Sequence, residues 1–167
     1  TDCIYRVMPA VYETVETALE AVWGEAGRAV SLPTVMVRMG SWIGGDMVGR
    51  SEITARTIRD TLARQRSLVL DLYHRECREL AEKLSQSTTQ VSVSPALTER
   101  IRLYSGHFPN ARGITPLRHR EMPYRVFMRL VMARLQSTYS EGLYPFESAE
   151  ELAADLRLIG TSLRGNR

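Results

Sequence analysis

Ten residues constrain this chain more than any others: Gly40-Ser41-Trp42-Ile43-Gly44-Gly45-Asp46-Met47-Val48-Gly49. Four glycines and a tryptophan separate two stretches with helical periodicity. Just upstream, Thr34-Val35-Met36-Val37-Arg38-Met39 is apolar and β-branched enough to predict a short strand. Just downstream, Ser51 and Thr54 offer caps for a long helix. The local order is strand, glycine-rich turn, helix. Glycine admits positive φ and lets a backbone approach a ligand or another element, and Asp46 can fix the turn or accept hydrogen bonds. The spacing is neither GxxxxGK[ST] nor GxGxxG, so a nucleotide-phosphate loop has no support. Two readings stay open on local chemistry: a tight turn around a packed Trp42, or a pocket in which Trp42 meets a ligand.

At 167 residues the chain is one domain by length, or one piece of a larger one. A hydrophobic fraction of 44% supports a packed core and argues against disorder. The net charge of +3 is modest, and Lys83 is the only lysine. The arginines are spread along helices instead of forming a basic stripe, so nucleic acid is not an expected partner. No apolar run approaches the roughly 20 residues that span a bilayer, so no membrane is expected either. Cys3 and Cys77 match no metal-ligand spacing and are too few for a disulfide framework, which predicts two free thiols in a reducing cytosol.

Periodicity predicts a mainly helical fold with five helices and one strand. The first helix covers 4–23, with Val7, Val11, Val15, Leu19 and Val22 on one face; Pro9 predicts that it starts near Met8. Gly24 and Gly27 end it. The second runs from about Ser51 to Ser85 with Ile58, Leu62, Val69, Leu72, Leu80 and Leu84 as its stripe. Residues 85–93 are polar and predict a loop. Ser94-Pro95 opens a third helix, with Ser as cap and Pro at the first position, through Leu97, Ile101 and Tyr104 to Gly106. Residues 107–121 read as an irregular connection. Pro123 starts a fourth helix carrying Val126, Phe127, Leu130, Val131 and Leu135. Ser148-Ala149-Glu150-Glu151 predicts a capping box for a fifth, with Leu152, Leu156, Ile159 and Leu163 as its apolar side.

Little else carries chemistry. His74, His107 and His119 share no metal spacing and read as surface or structural residues. Glu13 and Glu16, and Glu150 and Glu151, read as helix-surface carboxylates. Ser41 lacks a GxSxG context. Arg56, Arg59, Arg64 and Arg66 read as a solvated face.

Gly40 to Asp46, with Gly49, resembles the G-S-W-M-G-G-D-R-D-G-N-P signature of phosphoenolpyruvate carboxylase. The context is similar in the same order: Tyr5-Arg6-Val7-Met8-Pro9 before the motif, Ile53 to Leu62 after it, Asp71-Leu72-Tyr73, Leu80 to Ser85, and Leu156 to Leu163. The resemblance implies that residues 1–167 are a single segment of a larger lyase built around an eight-stranded α/β-barrel. The parent would join phosphoenolpyruvate and bicarbonate to give oxaloacetate and phosphate, with Mg²⁺ or Mn²⁺, as a cytoplasmic homo-oligomer. It further implies that Trp42, Gly44, Gly45 and Asp46 lie in the bicarbonate-binding region. The family's catalytic histidine, its catalytic arginines and its acidic metal ligands fall in motifs that these residues do not contain. The segment would thus hold no catalytic residue and no metal, its main partner would be the remainder of the parent chain, and alone it would be inactive.

The motif departs from the family after Asp46. Met47 and Val48 stand in place of Arg and Asp, and Arg50 and Ser51 in place of Asn and Pro, which removes a charge pair and its hydrogen bonds. The alternative reading is therefore a non-catalytic helical interaction module descended from the same family.

Overall fold

The computed structural model describes residues 2–33, 35–38, 40, 53–88, 91–113 and 121–165. Seven helices form among them: α1 (Asp2–Trp23), α2 (Glu25–Arg28), α3 (Ala55–Lys83), α4 (Pro95–His107), α5 (Pro109–Gly113), α6 (Pro123–Tyr139) and α7 (Ala149–Arg164). The chain divides into two compact units, Thr1–Val69 and Leu70–Arg167, with the boundary inside α3. The protein is mainly helical, and no helix among the described residues is long and apolar enough to cross a membrane.

In the first unit α1 runs straight through Pro9, starting six residues before Met8. A proline inside a helix removes one backbone rung, and an exposed position, such as Pro9 occupies, lets the chain accommodate the loss. Gly24 ends α1 at φ 58, a left-handed conformation that glycine adopts without a Cβ penalty. The chain then folds back so that α2 lies on α1, with Arg28 paired to Glu20. Gly27 is the close point: a Cβ there would sit 2.1 Å from the Leu19 carbonyl oxygen. The predicted strand does not form among its described residues. Val35–Arg38 lie in no regular element, because a strand needs neighbours and the described residues of this unit offer none. The Met36 amide donates instead to the Tyr12 hydroxyl, 2.8 Å away.

The second unit is organised around α6. Tyr124, Phe127, Met128, Leu130, Val131 and Leu135 are all buried, so this helix is apolar nearly all round and central. Leu97 and Tyr104 of α4, Leu152 and Ile159 of α7, Cys77 and Ala81 of α3, and Leu84 just after it complete the core. Ser94 caps α4 by accepting from the Leu97 amide at 3.3 Å, with Pro95 at the first position as predicted. Arg125 of α6 donates to the carbonyls of Ala81 and Glu82, both at 2.8 Å, placing a cation at the C-terminus of α3. Residues 107–113, expected to be irregular, instead carry the last residue of α4 and the short α5; residues 114–120 lie outside the described residues.

The capping box expected at α7 is not made, since the Ser148 side chain caps nothing. The Glu151 carboxylate turns to the Glu147 amide at 3.3 Å and to Arg134 at 2.6 Å. The buried side of α7 also differs from its expected stripe. It runs through Leu152, Asp155, Ile159 and Ser162, while Leu156 is exposed.

Gly27→Ala should detach α2 from α1, since the Cβ meets backbone and not a flexible side chain. A loss of about 1–3 kcal/mol is expected for overpacking of this kind. It would be read as a lowered urea midpoint in tryptophan fluorescence, both tryptophans lying in the first unit. An unchanged midpoint would contradict the close approach.

Candidate functional site

Trp42, Gly44, Gly45 and Asp46, together with the divergent Met47 to Ser51, lie outside the described residues. The structure does describe their frame. On the upstream side, the bond from the Met36 amide to Tyr12 ties the approach to α1. Gly40 has open space where a Cβ would be. On the downstream side α3 begins in a reciprocal cap. The Thr57 amide donates to the Thr54 hydroxyl at 3.3 Å, and the Thr54 amide donates to the Thr57 hydroxyl at 3.2 Å. This is a capping box with threonine in the place usually taken by glutamate.

The densest polar chemistry among the described residues lies in the second unit, where no motif points to it. Tyr104 of α4 donates its hydroxyl proton to Asp155 Oδ2 of α7 at 2.6 Å and accepts from Arg134 Nη1 of α6 at 2.6 Å. Arg100, one turn before Tyr104, donates to Asp155 Oδ1 at 2.6 Å. Arg134 Nη2 donates to Glu151 at 2.6 Å and to the Pro145 carbonyl at 3.1 Å, while its Nε has no partner among the described residues. The guanidinium lies over the rings of Phe146 and Tyr144, 4.1 and 4.5 Å from their centroids.

The loop that supplies those rings is strained. Tyr144 has φ 58, a region that bulky residues avoid. Its ring stacks on His107 with centroids 3.9 Å apart, which helps to hold the conformation. The Phe146 amide donates to the Thr138 hydroxyl at 2.7 Å, and Ser137 donates to the Leu143 carbonyl.

The network's electrostatics suit a clamp and not a reaction. Burial pushes the Tyr104 hydroxyl up to about 12, with the bond to Asp155 adding to the rise. Burial also raises the Asp155 carboxyl above its ordinary range, opposed by the Tyr104 bond and the charges of Arg100 and Arg134. Both side chains are fully withdrawn from solvent, so a substrate does not reach them. The sequence does carry a signal for this cluster. Arg134 falls on the apolar face of α6, and Asp155 sits three residues after Leu152 and four before Ile159.

Other candidates resolve simply. Arg56, Arg59, Arg64 and Arg66 are exposed; Arg56 pairs with Asp60 at 3.7 Å and Arg59 bonds the Ala55 carbonyl. Glu13, Glu16 and Glu150 are exposed. Glu151, expected on the helix surface, is the half-buried partner of Arg134. His74 is half-buried, and burial together with Arg78 holds its imidazole below the ordinary value. Among the described residues no three His, Cys, Asp or Glu side chains are grouped to hold a metal ion.

Residues 1–167 match the family model described as phosphoenolpyruvate carboxylase. The chain is 43% identical over 167 residues to a phosphoenolpyruvate carboxylase of Xanthomonas campestris pv. campestris, covering 100% of this chain and 18% of the relative. It is 36% identical over 176 residues to that of Ralstonia nicotianae, covering 95% and 17%, and 31% identical to that of Nocardia farcinica, covering 98% and 18%. No solved structure matches. The chain therefore spans less than a fifth of the length of these relatives.

Two predictions come from the second unit. Tyr104→Phe leaves Arg134 and Asp155 each short of one buried partner and should cost about 1–3 kcal/mol; Arg134→Met, which takes a donor from the Tyr104 hydroxyl and the paired cation from Glu151, should cost about 3–5 kcal/mol. In urea unfolding followed by circular dichroism the double variant should cost less than the two losses added. Full additivity would contradict a shared network. Separately, burial raises the Cys77 thiol to about 11, whereas Cys3 is exposed. At pH 8 about one Cys77 in a thousand is thiolate. Native alkylation should modify one thiol, with the second reacting only on unfolding; rapid loss of both would contradict the buried position.

Proposed function

We propose that this chain, which belongs to the phosphoenolpyruvate carboxylase family, works as an internal segment of a longer enzyme that makes oxaloacetate and phosphate from phosphoenolpyruvate and bicarbonate. The observation that carries this reading is the match along the whole chain at 43% identity, occupying 18% of the relative. The parent is read as a cytoplasmic homo-oligomer in which phosphoryl transfer to bicarbonate precedes carboxylation of the enolate. Its chemistry calls for a divalent cation, Mg²⁺ or Mn²⁺, to offset the charge of a small trianionic substrate. The resemblance puts the acidic ligands of such an ion in motifs that residues 1–167 do not contain.

The segment's own contribution is the loop from Trp42 to Asp46 at the bicarbonate region. Glycines at 44 and 45 would let a small anion approach backbone and indole closely, and an aspartate at 46 can fix a turn or accept hydrogen bonds. The frame supports this reading: Tyr12 fixes one side of the loop and the Thr54–Thr57 cap the other. Residues 34–39 would become a barrel strand once neighbouring strands pair with them. Their β-prone composition supports that role.

The test uses the purified natural polypeptide and the 167-residue chain side by side, with phosphoenolpyruvate, bicarbonate and Mg²⁺. The polypeptide should form oxaloacetate and the chain should form none; turnover by the chain alone would refute the segment reading. In the polypeptide, Trp42→Phe should raise KM for bicarbonate about tenfold, the equivalent of 1.4 kcal/mol, and leave KM for phosphoenolpyruvate unchanged. A polypeptide that binds partners but makes no oxaloacetate would favour the interaction module, the reading to which Met47 and Val48 in place of Arg and Asp lend weight.

A further inference from the structure

The loop between α6 and α7 presents Leu143, at 88% the most exposed large hydrophobic side chain among the described residues. The loop is built to keep it there. Glu141 and Tyr144 bracket it at φ 54 and 58, left-handed conformations that the surroundings must hold in place. Residues of α6 do the holding. The Gly142 amide donates to the Ser137 carbonyl at 2.8 Å, and the Ser137 hydroxyl donates to the Leu143 carbonyl. Arg134 donates to the Pro145 carbonyl at 3.1 Å, and the Phe146 amide donates to Thr138 at 2.7 Å. Gly142 passes so close that a Cβ would sit 2.9 Å from the Ser137 hydroxyl. A loop pinned in this way loses little conformational freedom on docking, which suits it to anchor a contact. Its rim is acidic: residues 139–150 carry Glu141, Glu147 and Glu150, all exposed, and no arginine or lysine.

Residues 55–69 of α3 carry a surface of complementary shape and charge. They hold Arg56, Arg59, Arg64 and Arg66 against a single acid, Asp60. Leu62, Ala63 and Arg66 follow Arg59 by three, four and seven residues, so these four side chains frame the kind of hole that receives a knob when helices interlock. All four residues are exposed, Leu62 by 58%. Ala63 is small enough to be the floor, Leu62 supplies an apolar wall, and the two arginines supply a basic rim. We infer that Leu143 and its loop are an interaction surface whose partner is a second copy of this chain, with Leu143 seated at Ala63 and Glu141 and Glu147 facing Arg59 and Arg66. Charge complementarity fixes the occupant: knob and hole have opposite rims, and each copy carries both. Where a two-fold axis relates the copies, the contact is made twice. A lipid surface or a nucleic acid fits poorly, because three glutamates repel anionic headgroups and phosphates alike. The inference goes beyond the reading of the parent as a homo-oligomer, which names no contact, and does not depend on oxaloacetate formation.

Photo-crosslinking of the purified natural polypeptide tests this, with photoreactive benzoylphenylalanine in place of Leu143. Illumination should give a product of doubled mass in which position 143 is joined to the peptide that carries residues 55–69. A cross-link to 55–69 in a product of unchanged mass, a cross-link to any other segment, or no cross-link would overturn the second copy as occupant. A product formed with a different protein when the polypeptide is illuminated in a cell extract, in place of the doubled one, would overturn it as well. Charge exchange gives a second route. Arg59→Glu with Arg66→Glu should cut the yield of doubled product about tenfold, and adding Glu141→Arg with Glu147→Arg to the same chain should restore it. A yield that the first pair leaves unchanged, or that the second pair fails to restore, would overturn the contact. Oxaloacetate formation, assayed in parallel on the polypeptide with Leu143 intact, decides the carboxylase reading separately.

Discussion

Arg134 is the residue on which the second unit depends. A guanidinium keeps its charge under all ordinary conditions, so taking one into a core costs several kcal/mol unless its donors and its faces are occupied. Here Tyr104, Glu151 and the Pro145 carbonyl occupy the terminal donors, and the rings of Tyr144 and Phe146 cover the faces. Each partner comes from a different piece of chain: α4, α7 and the loop between α6 and α7. One side chain thereby fixes three elements in a register that apolar contacts leave loose. Asp155 completes the arrangement by accepting from both Tyr104 and Arg100, so α7 answers the charge on α6 twice, directly through Glu151 and by way of Tyr104 through Asp155. The strained backbone at Tyr144 belongs to the same arrangement, as the conformation that brings its ring over the guanidinium.

Among the described residues nothing comparable holds the first unit. Its specific contacts are local: α2 folded against α1 at Gly27, the Tyr12 bond to Met36, and the cap at Thr54. These orient the ends of a loop, and among the described residues of the unit no apolar side chain is fully buried. Within one short sequence, then, a unit with a closed core is joined in sequence to one whose described apolar side chains stay half-buried or exposed.

Much of the fold was legible because its signals are local. Ser94-Pro95 and Pro123 placed two helix starts to the residue, through cap chemistry and the fixed φ of proline. The uninterrupted stripe of α3 was recognisable as one long helix. What escaped notice depended on tertiary contact. The buried side of α7 runs through Asp155 and Ser162, because Tyr104 and Arg100 meet the first and Tyr124 and the Ser94 amide meet the second. A reading that equates apolar with buried chooses Leu156 instead. Glu151 was expected to close a local cap, but a buried cation across the unit outcompetes one backbone amide. Pro9 was overweighted, since a missing rung costs less on an exposed face than within a core. The strand was expected from composition alone, and composition does not provide the neighbours a strand needs. The site residues Trp42, Gly44, Gly45 and Asp46 were named through resemblance, and the described structure supplies their frame, not their geometry.

Polypeptide length decides most directly between a piece of a carboxylase and a free-standing helical module. An antibody raised against this chain, used to blot an extract of the cells that make it, measures that length. The account predicts a band several times larger than 18.9 kDa, in keeping with a chain that spans 18% of its relatives. A band at 18.9 kDa would contradict it, leaving a stand-alone protein without the residues for carboxylation.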